Sequence, residues 1–592
     1  MNTATNTYVY EFIGKPENIF YSLIHCIEKE KKKKLLWGFS SHSSHINAYD
    51  KIKEGDEVFL YATSPVSTYV ASGYIESKFV NEQKFWPIDS KYGDKWPKRV
   101  WIRVEYICIN DDILNLLRKC SQGNGDKCID YYQLSKYYSN LKYEIKRVYI
   151  PKSKYSVIVP GFIRKIEGEY ANKIREILAK YSIKVSTNLR EIFKDLTKIE
   201  ESTNTGLRHL QALILLHLLT GKNVIIIGPP GSGKTSLSIN ICKTLDIKPH
   251  IITGNPEWTP FDTIGGRDIN GIFRPGIITN IIIKCWESLK NSGVPEFLII
   301  DEINRANVDL AFGRFFTLLD VKYRDSPLIE RTEGLVDAFK DVLINDNLYV
   351  PYSFRIIATM NSYDRALLFK LGYALLRRFA IVEMRRNFKF EQNPQGWIEE
   401  VKEFVKEGKS CGLEKSVNLD IIENEFYLTR SEFDDYVLID PILQIILKRF
   451  NGIKGVLEKL AMNLGLTFSD ILSLIYKIIC TINEKLLEFN VEITEAPIAD
   501  TIKFLAVSTL LDENWASQHL ATLLDEAFSS YIIPQLDILA DKVRAERLGL
   551  LPTKGAKRLK EELEELSKMM EKLALNRSYK QLKRLAEGES IL

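Results

Sequence analysis

One stretch of nine residues, GPPGSGKTS, has the residue types and spacing of a loop that binds nucleotide phosphates. An apolar run, Val224 to Ile227, precedes it and predicts a buried strand, and helical spacing follows it. Glycines there let backbone N–H groups surround phosphate oxygens, and the helix N-terminus adds positive potential. Lys234 would reach the β- and γ-phosphates, and the Thr235 hydroxyl would ligate Mg²⁺. The predicted nucleotide-binding residues are Gly228, Pro229, Pro230, Gly231, Ser232, Gly233, Lys234, Thr235 and Ser236.

A second apolar run, residues 297–300, ends in Asp301 and Glu302. Four apolar residues followed by two carboxylates, downstream of a phosphate-binding loop, are typical of the strand that faces the bound nucleotide. Asp301 would hold Mg²⁺ together with Thr235, and Glu302 would polarise the attacking water. A structural ion pair is the alternative for an isolated Asp-Glu pair.

Polar and basic residues follow the next predicted strand in the motif MNSYDR. Polar side chains at this place contact the γ-phosphate or the attacking water, so the candidates are Asn361, Asp364 and Arg365. Further on, YALLRRF places Arg377 and Arg378 at a predicted helix end. Arginine supplied by a neighbouring subunit stabilises the charge of a transferring phosphoryl group, which predicts active sites between the subunits of a ring.

The composition limits the classes of protein that the chain can belong to. At 592 residues it exceeds one hydrophobic core and predicts three or four domains. With 45% hydrophobic and 27% charged residues it has the composition of a soluble globular protein. No uncharged apolar run reaches the ~18 residues that span a bilayer, and no signal peptide is recognised, so we expect a cytoplasmic protein without a membrane partner. The eight cysteines form no CxxC pair, which favours reduced thiols over a zinc site.

The first 160 residues differ from the rest in charge and aromatic content. They carry 24 Lys and Arg against 18 Asp and Glu, and they hold 4 of the 8 tryptophans. Basic and aromatic residues together are typical of nucleic-acid readers, although so small an excess of positive charge is also common in proteins that bind none. Many short predicted strands with one early helix favour a small β-barrel, with Gly73 as a bulge.

This segment resembles the EVE and YTH domains of the PUA-like barrels. The resemblance rests on a Trp-Gly pair at Trp37, a Gly-Asp pair before a hydrophobic strand, Gly73, and the series Trp86, Trp96 and Trp101. It implies a pocket that takes a modified base into an aromatic cage, with Trp37, Trp86 and Trp96 as walls. Base stacking on an aromatic ring contributes about 1–3 kcal/mol. The alternative is that the tryptophans are core of the barrel, above all Trp101.

A stronger resemblance covers residues from about 205 to 390. IIDEINRAN, MNSYDR and YALLRRF are similar to the AAA+ motor of McrB, the GTPase of modification-dependent restriction systems. The resemblance implies GTP rather than ATP, with Mg²⁺, a hexameric ring and a separate McrC-like nuclease subunit. This chain departs from the family at Gly372, where relatives have Asp, and at Arg314, where they have Glu. The trans arginine therefore stays open between Arg377 and Arg378.

Beyond residue 386 helical periodicity dominates. In the tail, heptad-like spacing indicates an amphipathic helix for a partner or, more often, for packing on its own domain; it involves Leu559, Leu563, Leu566, Met570 and Leu573. We predict a multidomain α/β protein. Its parts are a PUA-like (EVE/YTH) β-barrel domain over 1–165, a helical connector over 166–204, an AAA+ αβα P-loop core over 205–387, and a helical lid with a helical extension over 388–592.

The hypothesis for function is a GTP-preferring AAA+ subunit of a methylation-dependent restriction endonuclease. Its N-terminal domain would bind methylated DNA, bearing 6-methyladenine or 5-methylcytosine, and GTP hydrolysis would drive translocation and activate a separate nuclease. No PD…(D/E)xK nuclease pattern stands out in the chain. One alternative is a MoxR-like ATPase that remodels protein complexes, against which MNSYDR argues. Another is a reader of RNA modifications coupled to an NTPase, which the Trp-rich segment does not separate from a DNA reader.

Overall fold

The structure is a computed structural model of the chain. It describes residues 8–23, 34–39, 43–80, 96–108, 131–141, 143, 163–166, 168–181, 183–184, 189–198, 205–331, 339–361, 369, 371–407, 417–430, 433, 435–438, 441–547 and 553–592.

The chain divides into two compact units, one of residues 1–188 with 291–293 and the other of residues 189–290 with 294–592. The division falls inside the predicted connector, since helix Gly168–Tyr181 belongs to the first unit and helix Leu189–Thr197 to the second. Among the helices in the described ranges, none is long and apolar enough to cross a membrane.

The first unit is built on a seven-stranded mixed sheet. Its strands are β1 (Val9–Gly14), β2 (Lys34–Phe39), β3 (Glu57–Ala62), β4 (Thr68–Val80), β5 (Lys98–Ile107), β6 (Ile163–Ile166) and β7 (Ile183–Lys184). The sheet order is β2-β5-β4-β3-β1-β6, with β7 paired to β5. β1 and β3 are parallel, and the other described pairings are antiparallel. These pairings leave β2 and β6 at opposite ends of the order, so closure into a PUA-like barrel stays a prediction.

In the described ranges of this unit, four helices accompany the sheet. They are α1 (Pro16–Ser22), α2 (Ser43–Lys51), α3 (Tyr131–Tyr137) and α4 (Gly168–Tyr181). Strand β4 carries the bulge that the sequence predicts at Gly73, because its register with β5 shifts between Ser72 and Gly73. A Cβ atom at Gly73 would overlap the carbonyl oxygen of Arg103, so only glycine lets the two strands approach here. The predicted bulge is confirmed.

The second unit contains a five-stranded parallel sheet and two short antiparallel ribbons. Its strands are β8 (Asn223–Gly228), β9 (Lys248–Thr253), β10 (Gly265–Arg267), β11 (Phe273–Pro275), β12 (Glu296–Asp301), β13 (Ile356–Asn361), β14 (Phe379–Glu383), β15 (Thr429–Arg430) and β16 (Asp435–Tyr436). The large sheet has the order β14-β8-β13-β12-β9, and every pair in it is parallel. β8 and β13 are buried along their whole length, which explains why most of their residues are apolar.

Eight helices belong to or precede this sheet. They are α5 (Leu189–Thr197), α6 (Thr205–Leu219), α7 (Lys234–Thr244), α8 (Pro260–Thr263), α9 (Ile277–Ser292), α10 (Val308–Ala311), α11 (Phe315–Leu318) and α12 (Tyr373–Leu376). Because the carboxyl ends of parallel strands meet at one edge of the sheet, Gly228, Asp301 and Asn361 end three neighbouring strands side by side.

The region after β14 is mainly helical. Its helices are α13 (Trp397–Glu407), α14 (Leu419–Phe426), α15 (Pro441–Arg449), α16 (Gly452–Met462), α17 (Phe468–Leu486), α18 (Glu495–Leu511), α19 (Glu513–Gln518), α20 (Leu520–Tyr531), α21 (Ile538–Arg547), α22 (Thr553–Lys572) and α23 (Asn576–Ala586). The five heptad-like residues of the tail are all at most 2% exposed. On the polar side of α22, Glu562 accepts a hydrogen bond from Lys485 of α17 at 2.8 Å. The amphipathic tail thus packs on its own unit, the commoner of the two alternatives.

Candidate active site

The predicted phosphate-binding loop connects the carboxyl end of β8 to the first residue of α7. Gly231 and Gly233 have positive φ angles of 69° and 94°, which glycine adopts without a steric cost. A Cβ atom at Gly228 would lie 2.8 Å from the Cβ atom of Met384, so the loop begins under close packing. Eleven helical residues follow from Lys234, and their free N–H groups point toward the loop. The local structure is that of an anion-binding turn at a helix N-terminus.

Lys234 is held within this loop. Its ammonium group donates to the carbonyl oxygens of Gly228 at 2.9 Å and Pro229 at 2.8 Å. Burial lowers the pKa of the ammonium, while the charges of Asp301 and Glu302 act to raise it. A lysine placed in this way can exchange its carbonyl partners for phosphate oxygens without leaving the loop.

A cluster of oxygens lies beside the loop at the end of β12. The hydroxyls of Thr235 and Thr359 both donate to the same carboxylate oxygen of Asp301, at 2.6 Å and 2.7 Å. In the described ranges no three His, Cys, Asp or Glu side chains come together as a metal site. One carboxylate with one hydroxyl fits Mg²⁺, which keeps several waters and takes its remaining ligands from substrate phosphates. Thr359 on β13 was not predicted from the sequence.

Glu302 follows Asp301 in an unusual backbone conformation. Its φ angle is 53°, in the left-handed region that non-glycine residues rarely adopt and that is frequent at functional sites. Its backbone N–H donates to the Thr359 hydroxyl at 3.0 Å, and its carboxylate forms an ion pair with Arg305. Thr359 therefore orients both residues of the acidic pair, and Arg305 is a second residue that the sequence did not single out.

Asn361 ends β13 directly opposite the start of the phosphate loop. Its register partner on β8 is Gly228, and the residue is 7% exposed. The structure therefore brings Asn361 together with Lys234, Thr235 and Asp301, as expected for a residue that contacts the γ-phosphate. Asp364 and Arg365 lie outside the described residues.

Comparison with known protein families agrees with the nucleotide-binding geometry of this part of the chain. Residues 223–379 match the AAA domain family of the dynein-related subfamily. This region is an AAA+ P-loop NTPase domain.

One curated relative is a component of a restriction enzyme. The chain is 29% identical over 195 residues to the "Type II restriction enzyme BsuMI component YdiS" of Bacillus subtilis (strain 168). That match covers 27% of this chain and 56% of the relative, so the chain spans little more than half of the length of that protein.

Two solved structures are similar at 15% identity each. One is a presumed ATPase from Cytophaga hutchinsonii, with a TM-score of 0.30, covering 58% of this chain and 85% of that one. The other is a proline-to-glycine variant of RuvB from Thermotoga maritima, with a TM-score of 0.19, covering 43% of this chain and 68% of that one.

Arg377 and Arg378, the two candidates for the trans arginine, lie far from the phosphate loop of their own domain. Phe379, the first residue of β14, pairs with Asn223 at the beginning of β8, whereas the loop follows the end of β8. The length of β8, six residues at ~3.3 Å each, separates the two places by about 20 Å. Arg377 and Arg378 therefore lie at the edge of the sheet opposite their own phosphate loop.

The two arginines also differ in their surroundings. Arg378 donates to the Ala374 carbonyl at 2.6 Å, lies 3.3 Å from a carboxylate oxygen of Asp320 and stacks over Phe316. Arg377 is exposed, with its guanidinium 6.0 Å from the ring of Tyr373. Of the two, Arg377 has the more exposed side chain.

The departure at Gly372 has a local explanation. A Cβ atom there would overlap the carboxylate of Asp309, which occupies the space next to the glycine. The other departure, Arg314, forms an exposed ion pair with Glu330 at 2.7 Å. Neither change alters the residues around Asp301.

A cavity of about 450 Å³ adjoins the beginning of the phosphate loop on the side of β14. Its lining includes Gly228 and Pro229 of the loop, Glu383 at the end of β14, and Gln581 and Arg584 of α23. Gln581 is 6% exposed, and within the described part of the chain its Oε1 atom has no hydrogen-bond partner. No local pattern in the sequence indicates this wall, because α23 is some 350 residues from the loop.

Of the predicted cage residues, the structure describes Trp37 and Trp96, which belong to different clusters. Trp37 packs against the main core of the unit, with its ring centroid 5.3 Å from that of Phe12. Trp96 packs instead with Trp101 in a small cluster around Leu36. Since Leu36 and Trp37 are successive residues of β2, they face opposite sides of the sheet. Trp37 and Trp96 therefore pack on opposite faces of β2, and Trp86 lies outside the described residues.

Proposed function

We propose that the chain is the GTP-hydrolysing, ring-forming subunit of a modification-dependent restriction system. The observation that carries the hydrolytic part is the convergence of Thr235 and Thr359 on Asp301, next to Lys234 and Glu302. The restriction component in Bacillus subtilis supports the wider role. A separate nuclease subunit of the McrC kind and methylated DNA are the partners that we propose.

Each of these residues has a separate role in the proposed hydrolysis. Lys234 binds the β- and γ-phosphates, and Thr235 and Asp301 would hold Mg²⁺, which neutralises charge on those phosphates. Glu302 accepts a proton from the attacking water and orients it toward the γ-phosphate. Asn361 holds the γ-phosphate or that water through its side-chain amide. Arg377 of one subunit stabilises the transferring phosphoryl group in the next, which requires a ring, six subunits in our proposal.

The cavity beside Gly228 is our candidate site for the base. Asp301 ends β12, Glu302 follows it and Asn361 ends β13, so the γ-phosphate would lie on that side of β8 and the nucleoside would extend toward β14. There the buried Oε1 of Gln581 and the carboxylate of Glu383 offer acceptors. Guanine carries N1–H and N2–H donors on one edge, whereas adenine has a single donor group there, so the cavity favours GTP.

Hydrolysis assays with the full chain test this proposal. We expect a higher kcat/KM for GTP than for ATP, and Gln581→Leu should reduce that ratio by about 10- to 100-fold because a site built to hydrogen-bond a substrate discriminates through the paired groups. Gln581→Glu, which keeps an acceptor, is the matched control. Preference for ATP in the wild-type chain would contradict GTP use and favour the MoxR-like alternative.

For the N-terminal unit we propose a reader of modified bases in DNA. The support is the excess of basic residues and the aromatic residues around β2, with Trp37 half-buried beside Phe12. Titration of the full chain with duplexes that differ at one base, unmodified, 6-methyladenine or 5-methylcytosine, tests this proposal, and a methylated single-stranded RNA tests the alternative. Equal affinity for the three duplexes would refute modified-base reading.

A further inference from the structure

The backbone of Arg377 accepts a hydrogen bond from the side chain of Lys222, the residue that directly precedes β8. Helix α6 ends in a left-handed turn at Gly221, with φ 87°, and the Lys222 N–H donates to the His217 carbonyl at 3.2 Å. This C-terminal cap of α6, of the Schellman type, fixes the backbone position of Lys222 before β8 begins. The Lys222 ammonium donates to the carbonyl oxygen of Arg377 at 2.9 Å. Lys222 is 8% exposed, which is rare for a lysine and requires partners.

The second partner of Lys222 comes from the helical region. Asp500 of α18 lies 2.5 Å from the Lys222 ammonium and is itself 6% exposed. The positive charges of Lys222 and Lys503 hold the pKa of the Asp500 carboxyl below its ordinary value, although burial acts in the opposite direction. Lys503 bonds Asp500 at 3.2 Å and Glu425 at 2.8 Å. The cluster thus contains two lysines and two carboxylates, of which only Lys222 contacts the backbone of Arg377 among the described residues.

We propose that Lys222 is a positioning residue for the trans arginine, and that the Lys222–Asp500 pair fixes Arg377 to helix α18. The proposal rests on the proposed function of Arg377. The side chain of Arg377 is exposed, so its direction depends on its backbone. Lys222 donates a hydrogen bond to the backbone carbonyl of Arg377, while Asp320 forms an ion pair with the guanidinium of the neighbouring Arg378. The carbonyl belongs to the C-terminal turn of α12, where a positive charge is favourable.

Strand β8 gives this contact a second consequence. Lys222 immediately precedes β8, and the phosphate loop follows it, with both ends of the strand buried. One rigid strand therefore connects the nucleotide of a subunit with the residue that positions its arginine for the next nucleotide. We expect a displacement of the loop along β8 to reach Arg377 through this hydrogen bond and through the pairing of β14 with β8.

The test uses four variants of the full chain in steady-state hydrolysis, with nucleotide affinity and thermal melting measured alongside. Lys222→Met keeps the aliphatic stem and removes the charge, and we expect kcat to fall about 10- to 100-fold with KM nearly unchanged, since small misplacements of a catalytic group cost up to about 100-fold. Arg377→Ala should lose more, about 1,000-fold or beyond. The double variant Lys222→Met with Arg377→Ala should equal Arg377→Ala within about twofold, because two residues that act as one unit are not additive.

Lys503→Met is the matched control. It removes the other lysine of the cluster, which bonds the same Asp500 but not Arg377, so melting should fall as in Lys222→Met while kcat stays within about threefold of wild type. An equal loss of kcat in Lys503→Met would show a structural role and overturn the proposal. A further multiplicative loss in the double variant would overturn it as well.

Mixed rings separate this inference from the proposed function. Subunits with Lys234→Ala cannot hydrolyse but carry an intact Arg377, so adding them to Lys222→Met subunits should raise hydrolysis per Lys222→Met site. No rise, with mixed rings demonstrated, would overturn the positioning role. If Arg377→Ala has wild-type kcat, Arg377 does not act as the trans arginine, and the inference about Lys222 is refuted as well. If Arg377→Ala is impaired but Lys222→Met has wild-type kcat, the proposed function stands and only the inference about Lys222 is wrong.

Discussion

Replacing Thr359 by valine should slow hydrolysis without removing nucleotide binding. The hydroxyl is fully buried, donates to Asp301 at 2.7 Å and accepts the Glu302 N–H at 3.0 Å, and valine has nearly the same shape but neither group. A hydrogen bond to a charged group contributes about 1.5–3 kcal/mol. If that energy orients the acidic pair only in the transition state, kcat falls about 10- to 150-fold, at tenfold for each ~1.4 kcal/mol.

The assay is phosphate release by the full chain at saturating GTP and Mg²⁺, with the nucleotide Kd measured separately by fluorescence. Thr359→Ser keeps the hydroxyl and should hydrolyse within about threefold of wild type, although it leaves a small cavity. Thermal melting shows whether both variants are folded. A folded Thr359→Val protein with wild-type kcat would refute the argument that this hydroxyl orients the acidic pair.

Two further predictions concern residues that the sequence singled out. Glu302→Gln should bind GTP with wild-type affinity and hydrolyse it at least about 100-fold more slowly, because the amide cannot accept the proton of the attacking water; wild-type turnover in single-turnover hydrolysis would remove Glu302 from that role. Trp37→Ala should abolish any preference of the full chain for methylated over unmodified duplex DNA, while Trp96→Ala, on the other side of β2, should preserve it; equal effects of the two substitutions in a binding titration would contradict a pocket on the Trp37 side.

The phosphate loop and the acidic pair could be predicted because their chemistry lies in contiguous residues. Backbone N–H groups, Lys234 and Thr235 come from one turn, and Asp301 comes from the end of one apolar strand, so local sequence determines both. Thr359 and Lys222 could not be found in this way. Each acts through hydrogen bonds to residues at least 57 positions away, and such pairings depend on the order of strands in the sheet.

The placement of the tryptophans depends on tertiary structure for a related reason. Tryptophans that are near one another in the sequence need not line one pocket, because strand β2 directs successive side chains to opposite faces. Which face Trp96 meets depends on the antiparallel register of β2 with β5, where Trp37 pairs with Val100 and Phe39 with Lys98. That register is a tertiary property, and residue types alone do not determine it.

The C-terminal wall of the cavity has a consequence for the evolution of nucleotide choice. The residues proposed for hydrolysis lie between positions 228 and 377, and the family match ends at 379. The cavity beside the loop is completed by Glu383 and by α23, outside that match. If the cavity holds the base as proposed, two descendants of one ancestor can keep an identical hydrolytic apparatus and diverge in the nucleotide they consume, through substitutions in a single helix.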